Sequence, residues 1–203
     1  MGRVWKSVLV FLKHLDHQLF FALNHGLSTP LLDYVMWAVS TLGNSTGLLV
    51  GAAIGLWWCD RQAFKQHYIW LVLAVVIGFL VVQGLKYGLA RPRPLSAFAA
   101  LVQAGEVHIN IVGHHLHNRS FPSGHAQAAS SVFTYLLWLY PQRWLWWSIG
   151  MLTAGLARVH LGAHFPSDVL AGTGLGCLSA LGALHLQRWW IGRYRVDNPH
   201  QSF

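Results

Sequence analysis

Charged residues are scarce in this sequence. Asp, Glu, Lys and Arg make up only 10% of its 203 residues, whereas soluble domains average roughly 25%. Only six residues are acidic, while 54% are hydrophobic and eleven are Trp. A soluble domain needs a mostly polar and charged surface, and this composition does not supply one. The shortage of charge therefore argues against a soluble protein and for one embedded in lipid.

Cysteine is also rare. The two cysteines, Cys59 and Cys177, lie in or beside apolar segments and show none of the close spacings of a zinc or redox site. We therefore interpret both as small apolar residues that are buried in the protein.

Long apolar runs take the place of the missing charge. Five of them follow one another along the chain, at residues 44–58, 67–86, 123–140, 144–162 and 166–187. In lipid, backbone polar groups must pair within each span, so such runs fold as helices. A sixth segment, residues 4–24, contains Lys13 and Asp16 and is either a span or an amphipathic helix in the membrane interface. The pattern predicts an all-α, polytopic membrane helical bundle of about six transmembrane helices, formed by residues 1–203 as a single domain.

Two connecting segments are polar enough to lie outside the spans. Residues 25–43 predict a loop with a short interfacial or re-entrant helix around residues 31–42. Residues 87–122 form a long, Pro-rich loop, and its mildly apolar middle, residues 95–104, predicts a short helix on the membrane surface.

The basic residues are divided unequally between the two sides of such a bundle. The formal net charge of +8 would suggest nucleic acid in a soluble protein, but here the cations alternate with apolar runs, which indicates membrane orientation and anionic lipid instead. With both termini in the cytoplasm, most basic turns face the cytoplasm, as the positive-inside rule requires. Five cations then lie on the outer side against that rule, namely Lys86, Arg91, Arg93, Arg119 and Arg158. A bound anion at the outer face is the simplest reason for them.

Three clusters of polar residues fall at this outer level. They are Lys86 with Arg93, the stretch from Pro122 to His125, and Arg158 with His164 and Asp168. Because helix ends in a bundle lie close together, three segments far apart in sequence can surround one pocket. The stretch Ser123-Gly124 starts a helix, whose first turn offers unpaired N–H groups to an anion. Cations, two imidazoles and a carboxylate at such a helix start suit phosphoryl transfer, in which one imidazole attacks phosphorus and the other protonates the leaving oxygen.

The three clusters resemble the signatures of a known family. The segments Lys86 to Pro94, Pro122-Ser123-Gly124-His125 and Arg158-(five residues)-His164-(three residues)-Asp168 are similar in order and spacing to the motifs of the type 2 phosphatidic acid phosphatase superfamily. The motifs occupy residues 86–94, 122–125 and 158–168, and the layout of six spans extends the resemblance to most of the chain. The resemblance implies a metal-independent membrane lipid phosphatase that uses a phospho-histidine intermediate and no cofactor.

The resemblance also implies a role for each motif residue. His164 would be the nucleophile, Asp168 its partner, and His125 the general acid that later activates water. The phosphate would be held by Lys86, Arg93, Ser123, Gly124 and Arg158, with Arg91 and Arg119 as candidates for further substrate contacts. The family usually has Ser directly before the third-motif arginine, whereas this chain has Ala157, so one hydroxyl contact to phosphate is missing from the pattern.

Polar residues outside the motifs have simpler interpretations. His160 is expected to line the site, and Asp16 and Asp33 are expected to act as caps or ties near the outer surface. Four histidines crowd the outer loop, namely His108, His114, His115 and His117. A zinc site there is an alternative to a polar loop near lipid headgroups, but no cysteine or fixed ligand spacing supports it.

Other functions fit parts of the pattern. A phosphotransferase would use the same chemistry with a second lipid as acceptor in place of water. A lipid transporter would place charges deep within the spans, whereas these lie at the outer ends. Soluble, vanadate-binding haloperoxidases share the motifs, but the hydrophobic spans argue against that class.

The family resemblance limits the substrate only to a class. The candidates are undecaprenyl pyrophosphate, phosphatidylglycerophosphate and the 1-phosphate of lipid A, and the short chain and outward site favour the first. The expected location is the bacterial cytoplasmic (inner) membrane, with the active site facing the periplasm. The expected partners are the lipid substrate and the bilayer, without nucleic acid, and the oligomeric state is not predicted.

Overall fold

The described part of the chain is built from α-helices. A computed structural model describes residues 2–113 and 115–197. The helices are α1 (Gly2–Asn24), α2 (Pro30–Leu42), α3 (Ser45–Cys59), α4 (Arg61–Leu89), α5 (Pro94–Ala97), α6 (Ala99–Gln103), α7 (Gly124–Leu139), α8 (Trp144–His160) and α9 (Pro166–Asp197). One turn of 3-10 helix at Pro141–Arg143 separates α7 from α8. Since no β-strand occurs within the described residues, the all-α prediction is confirmed.

The predicted runs coincide with these helices. The apolar runs correspond to α3, α4, α7, α8 and α9, and the predicted surface helix of the long loop is present as the two short helices α5 and α6. The helix expected after residue 30 is α2, and it is separated from α3 by a sharp break. Thr29, Asn44 and Asp60 each accept a backbone N–H from the first turn of the helix that follows, which explains why α2, α3 and α4 begin where they do.

Only part of the predicted set of spans meets a strict test of length and hydropathy. In the described residues, two stretches are long and apolar enough to cross a membrane, Arg61–Gln103, which begins with α4, and Pro166–Arg193 within α9. Helices α2 and α3 pass only when taken together as one broken span, bent by 73°. Helices α7 and α8 have 16 and 17 residues, slightly short of the roughly 20 that a straight span needs. The number six therefore stays a prediction.

Close packing of α9 on α7 forms the centre of the bundle. A Cβ atom on Gly172 would lie 2.3 Å from the carbonyl oxygen of Ser123, and one on Gly176 would lie 2.3 Å from that of Gln127. The two backbones can approach this closely only because both α9 positions are glycine. The contact brings the start of α9 against the start of α7, where the Ser123 N–H donates to the carbonyl oxygen of Asp168 over 2.9 Å.

Buried polar side chains reinforce this helix contact. Gln127 Nε2 donates to Ser131 Oγ over 3.0 Å, and Ser131 Oγ donates to the Gly176 carbonyl over 3.2 Å. Further along α7, Tyr135 Oη donates to Gln187 Oε1 of α9 over 2.6 Å. In a low-dielectric interior, polar groups must find partners, so these bonds fix α7 and α9 in one register.

A second core cluster attaches α1 to the long loop of residues 87–122, the outer loop of the sequence analysis. Phe20, Phe98 and Phe165 pack together and are almost completely buried. At the end of α1, Asn24 is fully buried, accepts the Asn110 N–H and donates to the Asn110 carbonyl oxygen. These contacts hold the outer loop over the turn that follows α8.

The two cysteines are less buried than expected. Cys59, the last residue of α3, is exposed, and Cys177 of α9 is partly exposed. Both are free thiols, and the expectation that they are buried is wrong: Cys59 is exposed, and Cys177 is only partly covered by α7, where the Thr134 hydroxyl donates to its Sγ over 3.3 Å.

The α7–α9 contact generates a matched pair of predictions. Gly176→Ala should lower the stability by about 1–3 kcal/mol, because the new methyl group has no room against the α7 backbone. Gly174→Ala should be neutral or slightly stabilising, because nothing lies within 4 Å of the added atom. Thermal unfolding of the purified proteins in detergent measures both, and equal melting temperatures would contradict the close approach of α9 to α7 at Gly176.

Candidate active site

The structure brings all three sequence clusters to one place, at one end of the bundle. Lys86 comes from the end of α4, Arg93 from the loop before α5, Ser123 and His125 from the start of α7, Arg158 from the end of α8, and His164 with Asp168 from the turn into α9. Arg93 Nη1 lies 3.3 Å from His164 Nε2. Lys86 and His125 both interact electrostatically with Arg93 and Arg158.

His164 and Asp168 form a buried pair. Their side chains are 2% and 0% exposed, and His164 Nδ1 lies 3.5 Å from Asp168 Oδ2. Because a guanidinium can only donate, the contact of Arg93 with Nε2 makes that nitrogen the acceptor and places the imidazole proton on Nδ1, toward the carboxylate. The lone pair on Nε2 therefore points to the side where the cations lie.

The start of α9 positions Asp168. Pro166 begins the helix, and Asp168 lies in its first turn, where a carboxylate is favoured. Its Oδ2 accepts the Phe165 N–H over 2.9 Å and the Ser120 hydroxyl over 2.5 Å. Sequence reasoning missed Ser120, which is fully buried, because its loop shows no periodic pattern that would reveal its direction.

Arg91, a candidate for a further substrate contact, binds two carboxylates of the protein. Its Nη1 donates to Asp168 Oδ1 over 2.6 Å, and its Nη2 donates to Asp16 Oδ2 over 2.8 Å. The guanidinium also lies 4.4 Å from the ring centroid of Phe165. Asp16 in turn accepts the N–H and the hydroxyl of Ser167, so it is a tie between α1 and α9, as the sequence predicted.

Arg119 lies at the exposed edge of the cluster. Its guanidinium lies 4.0 Å from the ring centroid of Tyr87, at the end of α4. The residue has a positive φ of 59° and belongs to the loop that leads into α7.

Three cations around His164 have no carboxylate partner. Among the described residues, Lys86, Arg93 and Arg158 form no ion pair. Arg93 instead donates to the carbonyl oxygens of Asn118 and Ala163, over 2.9 Å each. Collecting positive charge in a partly buried site is unfavourable unless an anion compensates it.

Two buried donors at this place also lack partners. In the described part of the chain, Ser123 Oγ and Arg158 Nε are buried without a hydrogen bond. Ser123 is the N-cap residue of α7, but its side chain forms no capping hydrogen bond. Buried polar atoms almost always have a partner, so these unused donors fit a ligand with several acceptor oxygens.

Burial keeps the His164 imidazole neutral. Removal from water lowers its pKa from 6.5 to about 3, while Asp168 acts in the opposite direction with less effect. A neutral imidazole whose Nε2 carries no proton is the form that attacks an electrophilic phosphorus.

Two further predictions concern neighbouring histidines. His160 Nε2 lies 2.7 Å from Asp33 Oδ1, and Asn110 Nδ2 donates to the same oxygen. Asp33 is therefore a tie, as expected.

The histidines of the outer loop do not form a metal site in the described structure. Within residues 2–113 and 115–197, no group of three or more His, Cys, Asp or Glu side chains is placed to hold a metal ion. His114 lies outside the described residues.

An apolar cavity of about 380 Å³ lies elsewhere in the bundle. It is enclosed by α3, α7 and α8 and is lined by residues such as Gly51, Leu136 and Trp147. It shares no residue with the polar cluster, so the chemistry is assigned to the cluster and not to the cavity.

A hydroxyl does contact Arg158, although Ala157 supplies none. Arg158 Nη1 donates to Ser40 Oγ of α2 over 2.5 Å. Sequence reasoning missed Ser40 because it lies 118 residues from Arg158, in a helix without any recognised motif.

Comparison with known proteins agrees with this arrangement. The family model described as "PAP2 superfamily" matches residues 67–191, which contain all three clusters. The crystal structure of Aquifex aeolicus LpxE is similar with a TM-score of 0.66 and 29% identity, and the match covers 84% of this chain and 95% of that one.

Curated relatives carry several names. The chain is 31% identical over 107 residues to lipid A 1-phosphatase of Rhizobium etli, a match that covers 53% of this chain and only 44% of the relative. It is 31% identical to phosphatidylglycerophosphatase B of Bacillus subtilis, covering 73% of this chain and 72% of that protein. It is 27% identical to undecaprenyl-diphosphatase BcrC of the same species, covering 77% and 76%.

The buried His164 predicts a pH dependence of stability. Its pKa is lower in the folded than in the unfolded protein, so the unfolded state takes up a proton first as the pH falls below 6.5. Stability is then lost by about 1.4 kcal/mol per pH unit down to the folded pKa. Thermal unfolding of the wild type and of His164→Asn, at about pH 7.5 and about pH 5.5, should show a larger loss for the wild type.

A matched control accompanies this comparison. His185 of α9 is exposed, so His185→Asn should retain the wild-type pH dependence. An equal loss in the wild type and in His164→Asn would contradict the buried, neutral imidazole.

Proposed function

The chain belongs to the PAP2 superfamily, and we propose that it dephosphorylates a membrane lipid phosphate or diphosphate at the outer face of a bacterial cytoplasmic membrane. The protein is an integral membrane protein, and in our proposal residues 1–203 form one catalytic domain whose site faces the periplasm. The observation that carries the proposal is the set of three cations without a carboxylate partner, beside a buried pair of His164 and Asp168.

In the first step, His164 Nε2 attacks the phosphorus of the bound lipid phosphate. A P–N bond forms, the P–O bond to the lipid or lipid phosphate breaks, and His125 donates a proton to the leaving oxygen. Asp168 accepts a hydrogen bond from Nδ1–H, which holds the ring and stabilises the positive charge that the ring acquires.

In the second step, His125 removes a proton from water, which attacks the phospho-histidine. The P–N bond breaks, inorganic phosphate leaves, and His164 returns to its neutral form. Lys86, Arg93 and Arg158 neutralise the phosphoryl oxygens throughout, and Ser123 with the N–H groups at Gly124 completes the cradle. No step requires a metal ion or an organic cofactor.

The preferred substrate in this proposal is undecaprenyl pyrophosphate. A diphosphate carries more negative charge than a phosphate monoester and therefore matches three uncompensated cations better. The relatives named above act, by their names, on three different lipids, so phosphatidylglycerophosphate and lipid A 1-phosphate remain the alternatives. A lipid acceptor in place of water would turn the same chemistry into phosphotransfer.

The catalytic assignment predicts distinct phenotypes for the two histidines. His164→Ala should release no detectable phosphate, a loss of at least about 10⁴-fold, because no covalent intermediate can form. His125→Gln should lower turnover by about 10²–10⁴-fold, because the proton transfers are lost. Phosphate release by the purified proteins measures both, His185→Ala is the control outside the site, and substantial turnover by His164→Ala would refute the assignment of the nucleophile.

A substrate panel tests the proposed reaction itself. The purified protein should release phosphate fastest from undecaprenyl pyrophosphate, compared with phosphatidylglycerophosphate and lipid A, and should retain this activity in EDTA. Orthovanadate should inhibit it as a mimic of the phosphoryl group. Parallel reactions with an added acceptor lipid separate hydrolysis from phosphotransfer, and a strict requirement for a divalent metal would overturn the mechanism.

A further inference from the structure

Helix α2 directs one buried hydroxyl at the site. Within α2, all of which the structure describes, Ser40 is the buried residue. Its Oγ accepts a hydrogen bond from Arg158 Nη1 over 2.5 Å. The neighbouring hydroxyl of Thr41 is different, because it donates to the Trp37 carbonyl of its own helix and is exposed.

The bond leaves one edge of the Arg158 guanidinium unused. Nη1 is held by Ser40, while Nε is buried without a partner. In a guanidinium, the N–H groups of Nε and Nη2 point in parallel along the same edge, and this edge binds two oxygens of a phosphate at once. Anchoring Nη1 therefore leaves the Nε/Nη2 edge available to an oxyanion that Arg93 and Lys86, which interact electrostatically with Arg158, also bind.

We propose that Ser40 is a positioning residue that orients Arg158 for bidentate binding of the substrate phosphate. The inference rests on the proposed function, because it assumes that an oxyanion occupies the cluster. An untethered arginine has many rotamers, and ordering it on binding costs free energy that a preset orientation avoids. The residue before Arg158 is Ala157, which is fully buried and has no polar side chain, so the hydroxyl next to Arg158 comes from α2.

Helix α2 is fixed well enough to serve as this anchor. At its start, Asp33 accepts a hydrogen bond from Asn110 and contacts His160, the last residue of α8. At its end, a Cβ on Gly43 would lie 3.9 Å from Ala154 of α8. Both ends of α2 thus lie against α8, the helix that carries Arg158.

The test compares oxyanion binding by matched variants of the full chain. Ser40→Ala should weaken orthovanadate binding by about tenfold or more, since a hydrogen bond to a charged group is lost. Thr41→Ala, which removes the adjacent hydroxyl, should bind as the wild type does. Binding is measured by calorimetry on purified protein in detergent, and the Michaelis constant and turnover number are measured with the preferred lipid.

A double-mutant cycle separates positioning from mere packing. In the Arg158→Ala background, Ser40→Ala should change vanadate affinity by less than about twofold, because Ser40 acts only through Arg158. An equal effect of Ser40→Ala in both backgrounds, or none in the wild-type background, would overturn the inference. Ser40→Thr, which keeps the hydroxyl, should restore most of the affinity.

The same measurements distinguish this inference from the proposed function. Wild-type protein that binds vanadate and shows the predicted cycle, yet releases no phosphate from any lipid, would support the role of Ser40 and refute the phosphatase. Lipid hydrolysis with an unchanged Ser40→Ala variant would support the phosphatase and refute the role of Ser40.

Discussion

The buried carboxylate of Asp168 is the interaction on which the rest of the site depends. It is fully buried, yet it contacts a histidine, a hydroxyl, a backbone N–H and an arginine. A buried charge is tolerated only when such partners satisfy it. The partners come from two segments, the loop between α4 and α7 and the turn after α8, so the carboxylate joins both of them to the start of α9. Through Arg91 and Asp16 the same network reaches α1.

The scarcity of acidic residues has a direct consequence for the chemistry. Of the six acids, Asp16 and Asp168 both pair with Arg91, and Asp33 pairs with His160. In the described residues, no acid then pairs with Lys86, Arg93 or Arg158. The cations that face His164 thus stay uncompensated, and a phosphorylated lipid supplies the negative charge they lack in the proposed reaction. The same low acid content that indicated a membrane protein also supports an anion site.

Much of the fold and the identity of the clusters could be predicted because they depend on local pattern. Apolar runs predicted α3, α4, α7, α8 and α9, and a polar break predicted the start of α7 at Gly124. Other features could not be predicted in this way. Arg91 looked like a second phosphate contact by its position beside Arg93, but it is occupied by two carboxylates. Cys59 looked buried by its apolar neighbours, but an apolar segment of a membrane protein can face outward.

The sequence by itself determined the helices, the membrane environment and the three groups of residues that resemble the family's motifs, because hydropathy and motif spacing are properties of neighbouring residues. Only the tertiary structure decided which charges are neutralised and which remain free for a ligand. Ser40 reaches Arg158 across 118 positions, Asp16 reaches Arg91 across 75, and Ser120 reaches Asp168 across 48. Such pairings depend on how the helices pack. The contact of α9 with α7 depends in turn on Gly172 and Gly176, and the sequence contains other pairs of glycines with the same spacing.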